Sequence, residues 1–177
     1  MLDLDIFKSK LFSISIFCSF LSFVAIFCLL MVNPFYLQYT MKYTPAFTGL
    51  LMMFYSVILT LAALFSGVLS DKIGSELLIL IGLITMGIGF FLMTILSIST
   101  PISVFLVLVA IIGFGAGLFQ SPNNSLVMST VSKDKLGIAG SVNALVRNLG
   151  MSIGTAMATS LLYNRMSYKA GYKVLTY

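Results

Sequence analysis

Long apolar runs, each close to the roughly 20 residues that carry a helix across a bilayer, are separated along this chain by short polar breaks. Leu11–Val32 is the first run, closed by Asn33-Pro34 and followed by Phe35, Tyr36 and Tyr39. Tyrosine favours the headgroup layer, where its ring is buried and its hydroxyl wet. Thr44-Pro45 opens a second helix, with Thr as N-cap and Pro at the first helical position, where a missing N–H costs nothing. That helix is expected to run to about Ser70. Glu76 begins a third, ending near Ser97, and Thr100-Pro101 repeats the same start for a fourth. Ser132–Lys135, SKDK, separates it from a fifth over about Leu136–Leu162. The expected fold is all-α, a polytopic transmembrane bundle with helices about 11–32, 45–70, 76–97, 101–121 and 136–162 and no soluble domain.

Composition agrees with this pattern. The chain is 59% hydrophobic and 8% charged, against about 25% charged residues in a soluble domain, so it lacks the polar groups to cover its own surface in water. The net charge of +5 does not signal nucleic acid, because the basic side chains are scattered between apolar runs and form no single face. With the N-terminus cytoplasmic, Lys8, Lys10, Lys72, Lys133 and Lys135 lie inside, while Lys42, Arg165, Lys169 and Lys173 lie outside. The bias follows the positive-inside tendency once the C-terminal cations are set aside. Asp3 and Asp5 precede the first run, which is long and has no small-residue cleavage site after it; it reads as a spanning helix and not a cleaved signal. Histidine is absent, and Cys18 and Cys28 lie ten apart on one expected helix, too far for a disulfide. No metal site and no cofactor is expected.

Inside the apolar runs one charge stands out. Arg147 lies about 18 Å along the fifth helix from Lys135 at the standard rise. Gly140, Asn143, Arg147, Gly150, Gly154 and Ala158 follow steps of three and four, which puts them on one helical face. A face of small residues admits a neighbouring backbone, so Arg147 is expected to point to protein or a water-filled path. Two uses stand open for it: lining or gating a substrate path, or holding helix-end carbonyls. The fourth run contains IIGFGAGLFQSPNNSL. Gly113, Gly115 and Gly117 are not a dinucleotide fingerprint, since Leu118 occupies the third glycine's place and no strand precedes; close helix packing and bending at Pro122 are expected instead. Gln120, Asn123 and Asn124 then meet substrate or water, or bond between helices. Asp71, Glu76 and Asp134 are expected in loops, which leaves the hydrocarbon without a carboxylate for proton relay.

The remaining polar cluster, SGVLSDKIGSELL, joins the second and third helices. Its Gly67, Leu69, Ser70, Asp71, Lys72 and Gly74 resemble the loop signature G-x-L-[AS]-D-[RK]-x-G-[RK]-[RK] of the major facilitator superfamily, with Ser75 and Glu76 in place of the basic pair. NPFYLQ, TPAFTGLLM and NALVRNLGMSIGTAM resemble that family's fourteen-helix multidrug–proton antiporter branch. The resemblance implies five of the six helices of a C-terminal half, with KAGYKVLTY leading toward a sixth. It also implies an absent N-terminal half that holds the coupling carboxylates, and a small-molecule substrate taken between halves. Gly67, Leu69, Asp71, Lys72 and Gly74 would form a conformational latch; Arg147, Asn143, Gln120, Asn123 and Asn124 would line or gate the path; Gly113, Gly117, Gly150 and Gly154 would pack helices. The implied activity is export of drugs or other small apolar or cationic compounds by proton antiport, with alternating access, in the plasma membrane. Two other classes are weighed against it. A non-transporting scaffold or assembly subunit would use the glycine faces to bind partner helices. A membrane enzyme would need interfacial carboxylates, His or metal ligands that this sequence does not supply.

Overall fold

The computed structural model describes residues 4–97 and 100–170. After a 3₁₀ turn at Leu4–Lys8 come five helices: α1 (Lys10–Phe35), α2 (Pro45–Ile73), α3 (Ser75–Met93), α4 (Ile102–Ser129) and α5 (Leu136–Ala170). A π-helical turn, Tyr36–Thr40, extends α1, and a 3₁₀ turn, Lys133–Lys135, precedes α5. The starts follow local chemistry. Ser9 Oγ accepts from Phe12 N–H and Thr44 Oγ1 from Phe47 N–H, each at 3.4 Å, satisfying first-turn donors that have no partner within the helix.

Several ends differ from expectation. Asn33-Pro34 does not stop α1, which runs through Pro34; likewise α4 continues past Pro122 to Ser129. A proline removes one helical hydrogen bond, but in hydrocarbon there is no water to receive an unwound backbone, so helical continuation is the less costly outcome. Beside Pro122, the fully buried Ser66 hydroxyl donates to Gly117 O at 3.0 Å, one residue from the Leu118 carbonyl that Pro122 leaves without its helical donor. Ser66→Ala is expected to lower stability by about 1 kcal/mol, read as an earlier midpoint in denaturant titration. At the third helix the order reverses: α3 stops at Met93, short of the expected Ser97, in successive turns held by Thr94, Ile95 and Leu96 N–H bonds to Phe91, Leu92 and Met93 carbonyls. At α5 the helix exceeds its expected end at Leu162 and reaches Ala170, while Gly171–Tyr177 of the KAGYKVLTY segment lie outside the described residues.

Packing centres on α4. Its glycines alternate along GFGAG, and a two-residue step turns a helix by about 200°, so Gly113 and Gly117 face one side and Gly115 the other. The first pair lies against α2. A Cβ on Gly117 would sit 2.5 Å from Leu59 O and 2.6 Å from Ala62 Cβ, and one on Gly113 would sit 3.0 Å from Tyr55 O. On the opposite side Gly115 meets α3, where its Cβ position is 2.7 Å from Met86 N and 2.8 Å from Gly82 O. So α4 is held between α2 and α3 at backbone contact. A second pair, α1 and α5, closes in the same way: a Cβ on Gly150 would be 2.9 Å from Phe20 O, and one on Gly154 2.5 Å from Val24 O. Cys28 Sγ donates to Gly154 O at 3.1 Å. The two groups join where α1 crosses α4.

The exterior of this bundle is largely apolar, and several polar residues are buried beside an apolar core. Ser15, Ser19, Ser22, Asn33, Thr48, Ser66 and Asn123 are buried, whereas Phe65 is 73% and Phe91 70% exposed. Apolar side chains face outward because the expected solvent is hydrocarbon, and polar ones turn inward to find hydrogen bonds. Among the described residues four helical segments are long and apolar enough to cross a membrane: Lys10–Thr40, Pro45–Ile73, Ser75–Met93 and Ile102–Ser129. The expected fifth span, α5, is 35 residues long, but Asn143, Arg147, Asn148, Ser152, Thr155 and Thr159 make it too polar to join them.

Candidate functional site

The polar residues of α4 and α5 meet in one place. Gln120, Asn123, Asn124, Asn143 and Arg147, together with Ser19, Phe23 and Phe119, line a recess of about 40 Å³ between α1, α4 and α5. This brings together all five residues expected on a substrate path. Three features of the chain build it. Gly150 and Gly154 draw α5 onto α1, which fixes the bearing of Arg147 one turn earlier. Asn123, 2% exposed, donates through Nδ2 to Ser19 Oγ at 2.7 Å and to Ser15 O at 3.4 Å, tying α4 to α1. Asn143 Nδ2 donates to Asn124 Oδ1, tying α5 to α4.

Two side chains that line the recess have polar groups without partners among the described residues. Asn123 Oδ1 is buried and accepts no hydrogen bond, and the exposed Arg147 guanidinium makes no hydrogen bond or ion pair among the described residues. Among the described residues no acidic side chain lines the recess. At about 40 Å³ it admits a few atoms, well below the roughly 300–1,000 Å³ of a complete small-molecule pocket. Sequence reading did not single out Ser19, Ser15, Phe23 or Phe119. The signal was present in α1, where Ser15, Ser19 and Ser22 follow steps of four and three and so share one face.

The second cluster lies at the junction of α2 and α3. Asp71 and Lys72 are not in a loop, as expected, but in the last turn of α2, and Glu76 stands in the first turn of α3. Asp134 lies in the 3₁₀ turn before α5. The junction is a single residue, Gly74, with φ 91° and ψ 146°, a region essentially restricted to glycine. Its N–H donates to Ser70 O at 3.0 Å, and the Ser70 and Ser75 hydroxyls bond at 2.8 Å across it. Gly67 is half-buried, its Cβ position 3.5 Å from Ser121 Oγ on α4, while Leu69, Asp71 and Lys72 are exposed. A groove of about 570 Å³ opens beside the junction, lined by residues 73–77, Leu80 and Leu126. This cluster is spatially separate from the recess: no residue lines both. No group of three or more potential metal ligands exists among the described residues.

An all-helical bundle with an apolar exterior, glycine-mediated backbone contacts and a polar recess between its two helix groups defines a polytopic membrane protein. The chain belongs to the Major Facilitator Superfamily, whose family model matches residues 4–174. It is 32% identical over 176 residues to the riboflavin transporter RibZ of Clostridioides difficile, an alignment covering 97% of this chain and 38% of that protein. It is 32% identical over 163 residues to the uncharacterized transporter YebQ of Escherichia coli, covering 92% of this chain and 35% of that one. It is 29% identical over 162 residues to the multidrug resistance protein Stp of Mycobacterium tuberculosis, covering 92% and 30% respectively. The chain thus spans between 30% and 38% of the length of these relatives. No solved structure matches it.

Proposed function

We propose that this chain is part of the C-terminal half of a secondary transporter that exports drugs or other small compounds by proton antiport with alternating access. It would lie in the plasma membrane, N-terminus cytoplasmic, with an N-terminal half and a sixth helix as its partners. The observation that carries this reading is the convergence of Gln120, Asn123, Asn124, Asn143 and Arg147 on one recess in a bundle whose exposed side chains are largely apolar. Polar groups are costly in hydrocarbon and collect along substrate paths. The relatives include a protein named for riboflavin and others named for multidrug resistance, so small organic molecules are the substrate class. Of the apolar and cationic compounds that the resemblance suggests, the recess favours uncharged ones, because its one charge is a guanidinium.

Reconstitution of the complete reading frame in proteoliposomes tests the proposal. A pH gradient is expected to drive uptake or release of a fluorescent drug, and collapse of the gradient to stop it. Absence of gradient-driven flux for every compound tried would leave the scaffold reading in its place. In this proposal the α2–α3 junction is the latch, favouring one face of the cycle through an interaction made in only one state. Asp71→Asn is expected to slow flux several-fold while leaving substrate affinity unchanged, because Asp71 lies outside the recess. An equal loss of affinity would remove Asp71 from the latch.

A further inference from the structure

A cavity of about 480 Å³ opens between the extension of α1 and the end of α5. Its volume falls within the roughly 300–1,000 Å³ of small-molecule pockets, which that of the recess does not. Phe35, Tyr36, Tyr39 and Thr40 line it from one side, Leu162 and Met166 from the other, and no residue lines both it and the recess. The backbone leaves regular helix at this place. Met41 N–H donates to Tyr36 O, five residues back, at 3.1 Å, and Tyr36–Thr40 winds as a π turn. Lys42, two residues past the lining, holds φ 61° and is the one non-glycine residue with positive φ among the described residues. Such residues are uncommon there, and both π turns and backbone strain concentrate at functional sites. The rings are held in place: Phe35 stacks on Tyr39 at 6.0 Å and 16°, and Tyr36 stacks on Phe105 at 5.9 Å while its hydroxyl donates to Ser97 O at 3.1 Å. A lining with three anchored aromatic rings suits a planar aromatic guest.

Charge decides which aromatic compounds it takes. Among the described residues the acidic side chains are Asp5, Asp71, Glu76 and Asp134. They stand before α1, at the α2–α3 junction and before α5, all at the far end of the bundle. There α4 brings Val127 against Ile6 and Phe12, and Leu126 to the α2–α3 junction. The cavity end instead carries Lys42, two residues past Thr40, and Arg165, one before Met166. Both are exposed, and neither makes a hydrogen bond or ion pair among the described residues. A cavity at an end with cations and no acids sits in a positive potential, which gathers anions and turns cations away. We propose that this cavity binds planar aromatic anions. It is a ligand site distinct from the recess, and it goes beyond the transporter reading, since binding there requires no transport.

Photolabelling of the complete reading frame in phosphatidylcholine proteoliposomes tests this with three probes that share one aromatic core. They are para-carboxybenzophenone, benzophenone itself, and the cation para-(trimethylammoniomethyl)benzophenone; peptide mass spectrometry reads where each attaches. Relative to its labelling of the exposed face of α3, the carboxylate is expected to label the segments Tyr36–Thr40 and Leu162–Met166 about fivefold more than the cation does. An about tenfold rise in ionic strength is expected to narrow that gap. Lys42→Gln combined with Arg165→Gln is expected to bring the carboxylate down to the level of the uncharged probe and to leave the latter unchanged. Both side chains are exposed, so the fold is expected to hold. Leu162→Trp, which fills the cavity, is expected to lower labelling by all three. Equal labelling by anion and cation, labelling spread evenly over the apolar helix faces, or indifference to Leu162→Trp would each overturn the proposal. Loss of cavity labelling by all three probes when phosphatidylglycerol replaces phosphatidylcholine would overturn it too, and give the cavity to anionic lipid. Anion-selective labelling without flux of any solute would keep the site and remove the transporter. Gradient-driven flux with evenly spread labelling would do the reverse.

Discussion

Gly117→Leu is expected to detach α2 from α4 and to destabilise the bundle by about 3 kcal/mol or more, at the upper end of overpacking effects. The neighbours at this position are backbone and Cβ atoms: Leu59 O at 2.5 Å, Ala62 Cβ at 2.6 Å and Ala63 N at 2.8 Å from an added Cβ. None of these moves without shifting the whole of α2, so no side-chain rotation relieves the clash. Gly115→Leu is expected to act with similar size on the other side, where Met86 N and Gly82 O stand at 2.7 and 2.8 Å, and to loosen α3 instead. Cysteine pairs placed across α2–α4 and α3–α4 would report which contact opens in each variant. Gly87→Leu is the control on α3, since nothing lies within 4 Å of its Cβ position; it is expected to change the denaturation midpoint little. Equal losses at Gly87 and Gly117 would show that lost helix flexibility, and not close approach, explains the effect.

Gly74→Val is expected to destabilise for the opposite reason. An added Cβ there meets nothing within 4 Å, so space is not the constraint. The backbone is: φ 91° with ψ 146° is open to glycine and strained for an L-residue, at about 1–3 kcal/mol. The strain falls on a one-residue junction, so relief means unwinding the end of α2 or the start of α3 and breaking the Ser70–Ser75 contact. Chemical synthesis or ligation that places D-alanine at position 74 is expected to restore most of the stability, because its mirrored preference suits positive φ. Denaturant midpoints for the three chains decide the matter. A D-alanine chain as weak as Gly74→Val would assign the loss to the side chain and its surroundings.

These two glycines also mark the boundary between what could be read in advance and what could not. The helical class and the number of helices were legible because twenty-odd apolar residues between polar breaks have few other fates in a bilayer. The starts at Thr44-Pro45 and near Leu136 were legible too, since capping is local chemistry. Ends were less so. Asn33-Pro34 and Pro122 carry stop signals calibrated on water, and here the helices run through both. Asp71 and Lys72 look like loop residues by charge alone, yet they complete the last turn of α2 because Gly74 by itself makes the reversal.

For the recess, the identities of Gln120, Asn123, Asn124, Asn143 and Arg147 were visible as polar residues in apolar runs, and their family resemblance pointed to a path between two halves. Their meeting in one recess was not visible, because it depends on α5 meeting α1 through Gly150 and Gly154 while α1 crosses α4. Ser15 and Ser19 passed unremarked for the same reason: a serine on an apolar helix means little until the face it shares is seen to meet Asn123.

By itself, then, the order of residues determined that this is a multi-helix membrane chain, where most helices begin, and which side chains hydrocarbon would reject. Those properties follow from transfer energies and from contacts within a turn or two. The tertiary structure alone decided which faces meet, that the alternating glycines of GFGAG serve α2 and α3 on opposite sides, and that Asn123, Asn124, Asn143 and Arg147 line one recess. Such outcomes depend on backbone approach between segments tens of residues or more apart in the chain, a separation at which local pattern carries no geometric information.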